Sequence, residues 1–141
     1  MTAKSFEIID HTADIGIVAY GSDIKELFSN AALALVSLVT DIEGVREDFE
    51  REVKIESQDE GGLLVDWLNE LIYLLDTEHT VFRRFDITSL APGCLEATCY
   101  GEAIDPQRHT MRMEVKAATY HMLKIDMDED NGYRVRVILD V

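Results

Sequence analysis

Carboxylate groups at the two ends of the chain have the residue types and positions of a cation site. Near the start, DHTAD at residues 10–14 places two acids and a histidine between apolar, β-branched runs. At the other end, Asp140 lies beside the α-carboxylate of Val141. If strands from both ends pair there, Asp14, Asp140 and the Val141 carboxylate come together as hard oxygens that need a cation or strong donors between them. Acids near a terminus usually face water, so the spacing alone leaves that alternative open.

The last apolar segment has the alternation of a half-buried strand, which predicts the direction of Asp140. Successive side chains of a strand point to opposite faces of the sheet. One predicted face carries Asp140 together with Arg134, Arg136 and Ile138. The other, core-facing side carries Tyr133, Val135, Val137, Leu139 and Val141.

A second acidic stretch, DMDEDNG at residues 126–132, matches only the first positions of a calcium-binding loop. That loop needs glycine at its sixth position and a bidentate Glu at its twelfth, where this chain has Asn131 and Val137. A helix is also not predicted on either side. We therefore interpret the stretch as a solvated hairpin turn, in which Asn131 and Gly132 are typical turn residues.

Other catalytic and metal-binding patterns are missing from the sequence. It contains no nucleophile elbow, no phosphate-binding glycine loop and no reactive-cysteine signature. The four histidines, at positions 11, 79, 109 and 121, do not form a pair at metal-ligating spacing. Because Cys94 and Cys99 do not form a C-x-x-C motif, we interpret them as buried thiols.

Composition and charge limit the class of protein further. A chain of 141 residues that is 47% apolar predicts one domain over residues 1–141, with a substantial core. The sequence has neither a membrane-spanning apolar run nor a secretory signal, so we expect a cytoplasmic protein without a membrane partner. A net charge of −15 repels phosphate and makes direct nucleic-acid binding a poor prediction. It suits a basic protein partner, a divalent cation or simple solubility.

The hydrophobic patterns predict an α+β domain. Two segments, residues 21–41 and 61–79, have apolar residues at helical spacing. Ser22 or Asp23 is the expected N-cap of the first, and Asp23 with Glu26 has the form of a capping box. The pattern of the remaining apolar segments predicts strands. One of them is a long strand at 114–127, which we expect to pair with the last segment at 133–141. We expect a two-layer arrangement of a mostly antiparallel sheet and two amphipathic helices.

Four stretches, in order and spread over nearly the whole chain, resemble the archease family. They are DHTADIGIVAYG, LLVDWLNELIYLLD, EVKAATYHM and the closing VILDV. Two positions depart from the family pattern: Met113 replaces a small residue, and Val141 stands where isoleucine is common. Neither is an expected side-chain ligand. The resemblance implies a two-layer α/β fold comparable to a heat-shock chaperone domain.

The resemblance also implies a function. Archeases are protein cofactors of the RtcB-type RNA ligase, which joins tRNA halves with GTP and manganese, and they promote ligase guanylylation and multiple turnover. An older description makes the family a chaperone-like modulator of a tRNA methyltransferase. By this resemblance the bound metal is calcium, held by Asp14, Asp140 and Val141, although carboxylates also accept magnesium and manganese. We expect His11, Lys116 and His121 to act on the partner, with holding of the loop as the alternative for His11 and a strand lysine whose stem covers apolar surface as the alternative for Lys116.

Two other classes of function stay open at this stage. A metal-dependent hydrolase could use His11, Asp14 and a bound water, and it would turn over a phosphoester without any partner. A chaperone-type binding module would instead expose an apolar patch and suppress aggregation of many proteins. A non-enzymatic activator would do neither.

Overall fold

Strands and helices alternate along the first half of the chain, and strands dominate the second half. The computed structural model describes residues 4–10, 14–128 and 132–141. The described strands are β1 (Phe6–Asp10), β2 (Ile15–Gly21), β3 (Phe49–Glu56), β4 (Thr80–Ala91), β5 (Cys94–Ala103), β6 (Ala117–Ala118), β7 (Lys124–Asp128) and β8 (Gly132–Asp140). The helices are α1 (Ile24–Val39) and α2 (Glu60–Glu78), and a 3₁₀ turn follows α1 at Ile42–Gly44. Neither described helix is long and apolar enough to cross a membrane.

The strands form two antiparallel sheets. The larger sheet has the order β1-β2-β8-β6, with β7 also paired to β8, and the smaller has the order β3-β5-β4. Each helix contacts strands of both sheets. The predicted α+β class, the antiparallel pairing and the two helices are confirmed, but the strands divide into two sheets where we expected one.

Helix α1 shows why two sheets are needed. Its buried residues spread over most of its circumference. They are Leu27, Phe28, Ala31, Ala32, Ala34, Leu35, Val36 and Val39. A helix that is apolar on so wide an arc must be covered on more than one side. The alanines in this set let neighbouring strands approach closely.

The start of α1 follows the predicted capping chemistry. Asp23 is the N-cap, and its Oδ1 accepts a hydrogen bond from the N–H of Glu26 at 2.8 Å. The Glu26 carboxylate accepts in return from the N–H of Ser22 at 2.9 Å, one residue before the cap. These bonds satisfy main-chain donors that the first helical turn leaves unpaired.

The long strand predicted at 114–127 is interrupted. Only Ala117–Ala118 and Lys124–Asp128 pair with β8, and a turn separates them in which Met122 has a positive φ of 55°. Just before the break, the Asn69 side chain of α2 binds both main-chain groups of Ala118. The chain leaves the sheet after this contact and returns to it at Lys124.

A buried polar cluster joins β5 to the loops beside it. Glu102, only 3% exposed, accepts hydrogen bonds from Arg108, from Nε2 of His109 at 2.9 Å and from the N–H of Arg46 at 2.6 Å. His109 Nδ1 accepts from the N–H of Asp105 at 2.8 Å, so His109 Nε2 is the donor to Glu102. The cluster therefore fixes the 3₁₀ turn and the 105–109 loop to the same strand.

Candidate cation and partner site

The strand register brings the two acids of the predicted cation site to the same end of the larger sheet. In the β2–β8 ladder, the last pair at this end is Ile15 with Leu139. Asp14 immediately precedes Ile15, and Asp140 immediately follows Leu139. The two acids therefore occupy adjacent positions on neighbouring strands, as the pairing of the chain ends predicted.

Two further strands end at the same place. On one side of β8, Ala117 of β6 lies opposite Asp140, and the N–H of Lys116 donates to the main-chain oxygen of Asp140 at 2.8 Å. On the other side, Asp10 of β1 pairs with Ile15. Segments from four parts of the sequence thus converge on one sheet end.

The burial pattern of β8 agrees with the predicted core face at three positions but not with an exposed opposite face, because Ile138 is only 4% exposed. Val135, Val137 and Leu139 are fully buried and belong to the main core. Asp140 is exposed, Asp14 is half-buried, and Val141 is 36% exposed. A cation from solution therefore has access to the Asp140 side of this sheet end.

The donor chemistry of this sheet end suits a hard cation. The carboxylates of Asp14 and Asp140 and the main-chain oxygen of Val141 would supply only oxygen, which calcium, magnesium and manganese prefer. Within the described ranges, three or more His, Cys, Asp or Glu side chains do not gather into a metal-binding group. The predicted set contains two such side chains and would need main-chain oxygens to complete it, so it stays a prediction.

The residues predicted to act on a partner have different positions. Lys116 is exposed and lies at the sheet end through its bond to Asp140. His121 is exposed in the turn after β6. The chain has already passed Asp140 before this turn, since the N–H of Thr119 donates to the main-chain oxygen of Ile138. His11 lies outside the described residues. The roles of all three stay predictions.

Asn69 supports the sheet end, and it was not predicted from the sequence. Its Oδ1 accepts from the N–H of Ala118 at 2.7 Å, and its Nδ2 donates to the Ala118 oxygen at 3.2 Å. These bonds fasten β6 to α2 and so hold Lys116 beside Asp140. The available signal was a polar residue between Leu68 and Leu71 on the apolar side of the helix.

Comparison with known proteins gives one consistent result. The family model of the Archease protein family matches residues 6–141. Protein archease of Methanothermobacter thermautotrophicus is 46% identical over 141 residues, which cover 98% of this chain and 99% of that protein. Protein archease of Methanosarcina mazei is 37% identical over 142 residues, which cover 98% and 97% respectively.

Two solved structures share the fold. The solution structure of protein 1598 of Methanobacterium thermoautotrophicum superposes with a TM-score of 0.78 at 44% identity, covering 97% of this chain and 99% of that one. The crystal structure of a Thermotoga maritima protein, described as an archease and possible chaperone, gives a TM-score of 0.63 at 25% identity, covering 94% of both chains. The match of fold and sequence over nearly the whole length shows that this chain belongs to the archease family.

Proposed function

We propose that this chain is a non-enzymatic activator of an RtcB-type RNA ligase in tRNA splicing and RNA repair. It promotes guanylylation of the ligase and lets each ligase molecule turn over repeatedly. The observation that carries the proposal is the strand register that puts Asp14 next to Asp140, with Lys116 hydrogen-bonded to Asp140 at the same sheet end. Membership of the archease family supports it.

In this proposal the sheet end holds a calcium ion through Asp14, Asp140 and an oxygen of Val141. When bound, the ion would neutralise acids that otherwise repel one another and would fix the chain end against β2. Calcium accepts irregular sets of oxygen ligands, whereas magnesium demands near-octahedral geometry. A site built from the ends of two strands is more readily completed by the more adaptable cation.

The charge of the chain favours action on the ligase over action on RNA. A net charge of −15 repels the phosphate backbone of RNA and attracts the basic surface that an RNA ligase needs. Association with the ligase should therefore be fast at low salt and slower as salt screens the attraction. The protein then works as a partner that changes the state of the ligase.

A turnover assay tests this function. Broken RNA is supplied in excess over the ligase, with and without this protein, and in a third reaction the protein is present alone. We expect one round of joining from the ligase alone, many rounds from the mixture, and no reaction from the protein alone. Phosphoester turnover by the protein alone would favour the metal-dependent hydrolase instead.

Substitution of the partner-directed residues should separate function from stability. Lys116 is exposed, and His11 is predicted to face the partner, so Lys116→Ala and His11→Ala should change the thermal midpoint by only a few degrees. Both should reduce stimulation of ligase guanylylation. Lys54→Ala, at another exposed strand lysine, is the matched control and should activate normally. Parallel loss of stability and activation would make Lys116 and His11 structural residues.

Extension of the chain beyond Val141 should weaken the cation site. A C-terminal tag converts the terminal carboxylate into an amide and crowds the strand ends beside Asp140. We expect lower calcium affinity by calorimetry for this form than for the same protein tagged at its N-terminus. Ligase activation should also fall at limiting calcium. Equal affinities for the two forms would exclude the terminal carboxylate from the ligand set.

A second candidate function is that of a chaperone-like modulator of another protein, such as a tRNA methyltransferase. Two large apolar side chains in the β6–β7 turn favour it, because Tyr120 and Met122 are 61% and 52% exposed. The related Thermotoga maritima protein is described as a possible chaperone. Suppression of aggregation of unrelated proteins would support this function, and its loss in a Tyr120→Ser, Met122→Ser variant would assign it to these side chains.

A further inference from the structure

The edges of the two sheets are protected to different degrees. An edge strand presents unpaired main-chain groups to which another strand can add, and proteins usually block such edges with side chains, bulges or charges. On β6, the Asn69 side chain occupies both the N–H and the oxygen of Ala118. Strand β7 continues this edge with the charged residues Lys124, Asp126 and Asp128.

Both edges of the smaller sheet are also protected. Strand β4 has irregular register at Phe82/Arg84 and at Ile87/Ser89, and Ser29 Oγ of α1 donates to its Phe85 oxygen at 3.1 Å. Strand β3 is protected by charge. The N–H of Ser57 donates to the main-chain oxygen of Gly93, and this pair is in register with the β3–β5 ladder. Alternate residues counted back from Ser57 therefore bond to β5, and the main-chain groups of the residues between them face outward. These outward residues are Glu50, Glu52, Lys54 and Glu56.

Strand β1 differs from these edges. The N–H of Tyr20 donates to the main-chain oxygen of Ser5, and this pair is in register with the β1–β2 ladder. Since bonded residues alternate along an antiparallel strand, Glu7 and Ile9 also bond to β2. The alternation leaves the main-chain groups of Phe6, Ile8 and Asp10 pointing to the open side. Among the described strands, β1 pairs with β2 only.

The open edge is apolar on both faces of the sheet. Ile8 shares the core-side face with Phe6 and is still 41% exposed, and Ile9 on the opposite face is 36% exposed. The Glu7 carboxylate, next to Ile8 in the sequence, is already engaged by Lys4 and by the Tyr20 hydroxyl. A strand added along β1 would cover both isoleucines and pair the outward main-chain groups.

We propose that β1 is a docking edge that accepts an extended segment of a partner protein as an additional antiparallel strand, with apolar residues against the isoleucines and Lys or Arg between them. The basic character follows from the charge of −15, which attracts a cationic segment. The same charge repels a second copy of this chain, so self-pairing through β1 is disfavoured. Main-chain pairing gives affinity in this mode of recognition, and the alternating side chains give specificity.

This inference deepens the proposed function and rests on it for the identity of the partner. Strand β1 leads directly into residues 10–14, so a docked segment would run beside the candidate cation site. The partner would then be held by β1 while other parts of it meet the sheet end that carries Asp140. Docking itself requires neither calcium nor catalysis, and it can be measured separately.

Proline substitution distinguishes the two edges. Ile8→Pro removes an N–H that faces outward and keeps the β1–β2 hydrogen bonds, a position where edge strands tolerate proline. Lys54→Pro does the same at the charged edge of β3 and is the matched control. We expect Ile8→Pro to weaken binding of the RtcB-type ligase about tenfold, with little change in thermal midpoint, and Lys54→Pro to bind as the unmodified protein does. If Ile8→Pro does not fold, Ile8→Lys tests the same edge through charge.

Amide hydrogen exchange reports the docking directly. Binding should slow the exchange of the Phe6, Ile8 and Asp10 amides, and unchanged exchange there or protection along β3 instead would overturn the proposal. If the ligase does not bind at all, the proposed function fails. In that case a short peptide of alternating valine and lysine tests whether β1 accepts an added strand. Its binding must slow hydrogen exchange of the Phe6, Ile8 and Asp10 amides. Protection that appears without a partner, together with a dimer in sedimentation, would assign β1 to self-pairing and overturn the proposal.

Discussion

Asp14→Asn and Asp140→Asn are each expected to weaken calcium binding by about tenfold or more, because each removes one formal charge from a hard-cation site and keeps the side-chain shape. The register of β2 and β8 makes the two acids neighbours, so the double variant should bind no measurable calcium. Calorimetric titration with calcium, magnesium and manganese provides the measurement. Ligase activation should fall in both single variants and should fall furthest in the double variant.

A third acid supplies the control for this experiment. Asp126 is the first acid of the DMDEDNG stretch, and it lies in β7 with Lys124 Nζ at 3.5 Å from its carboxylate. Asp126→Asn should leave calcium affinity unchanged. Loss of binding in this variant, with normal binding in Asp14→Asn, would move the cation site to the β7–β8 connection and remove it from the sheet end.

Glu102→Gln is expected to destabilise the fold by roughly 1 to 3 kcal/mol, the usual cost of losing the hydrogen bonds of a buried charged group. The substitution keeps the shape of the side chain but leaves Arg108, whose side chain is 29% exposed, with the Asp105 carboxylate, at 4.0 Å, as its ion-pair partner. Glu96→Gln, at an exposed position on the same strand, is the control and should cost little. Urea unfolding at neutral pH measures both, and a loss below about 1 kcal/mol for Glu102→Gln would contradict the anchoring role.

The same carboxylate predicts an acid limit to stability. Burial alone would raise the pKa of Glu102, but hydrogen bonds from Arg108, Arg46 and His109 outweigh it and lower the pKa to about 2. The unfolded chain binds this proton near pH 4.5, so the contribution of Glu102 to stability is complete above that pH and is lost as pH falls toward 2. Glu102→Gln should lose this part of the pH dependence, and an unchanged slope would contradict the assignment.

Local signals in the sequence predicted local structure well. The N-cap at Asp23 and the apolar faces of both helices depend on residues three or four positions apart, and the structure confirms them. In β8 the predicted core positions Val135, Val137 and Leu139 are buried, but Ile138, predicted on the opposite face, is buried as well. Chemistry within one element can be read from the order of its residues.

Features that depend on distant residues could not be predicted in the same way. Asn69 is 49 positions from Ala118, and its hydrogen bonds fasten the short strand β6 to α2, just before the turn that interrupts the predicted long strand. Glu102 and His109 become a buried pair only because the 105–109 loop folds back onto β5. The division into two sheets also depends on how α1 is covered, which the sequence pattern of α1 indicates but does not specify.

The candidate cation site could be predicted only in part. The positions of Asp14 and Asp140 near the chain ends suggested that they could meet, but only the β2–β8 register makes them adjacent. The involvement of Lys116 at the same place follows from its bond to Asp140, which alternation along its own segment could not predict. The ion itself is expected from the family resemblance, since oxygen ligands alone do not distinguish calcium from magnesium or manganese.

Formation of the covalent ligase–GMP adduct, measured in the absence of RNA, tests the central claim most directly. The ligase is incubated with GTP and manganese, with or without this protein, and the adduct is quantified by mass spectrometry. We expect the protein to increase adduct formation, and the Asp14→Asn variant to increase it less at limiting calcium. An equal yield of adduct with and without the unmodified protein would contradict the assignment of this chain as an activator of the ligase.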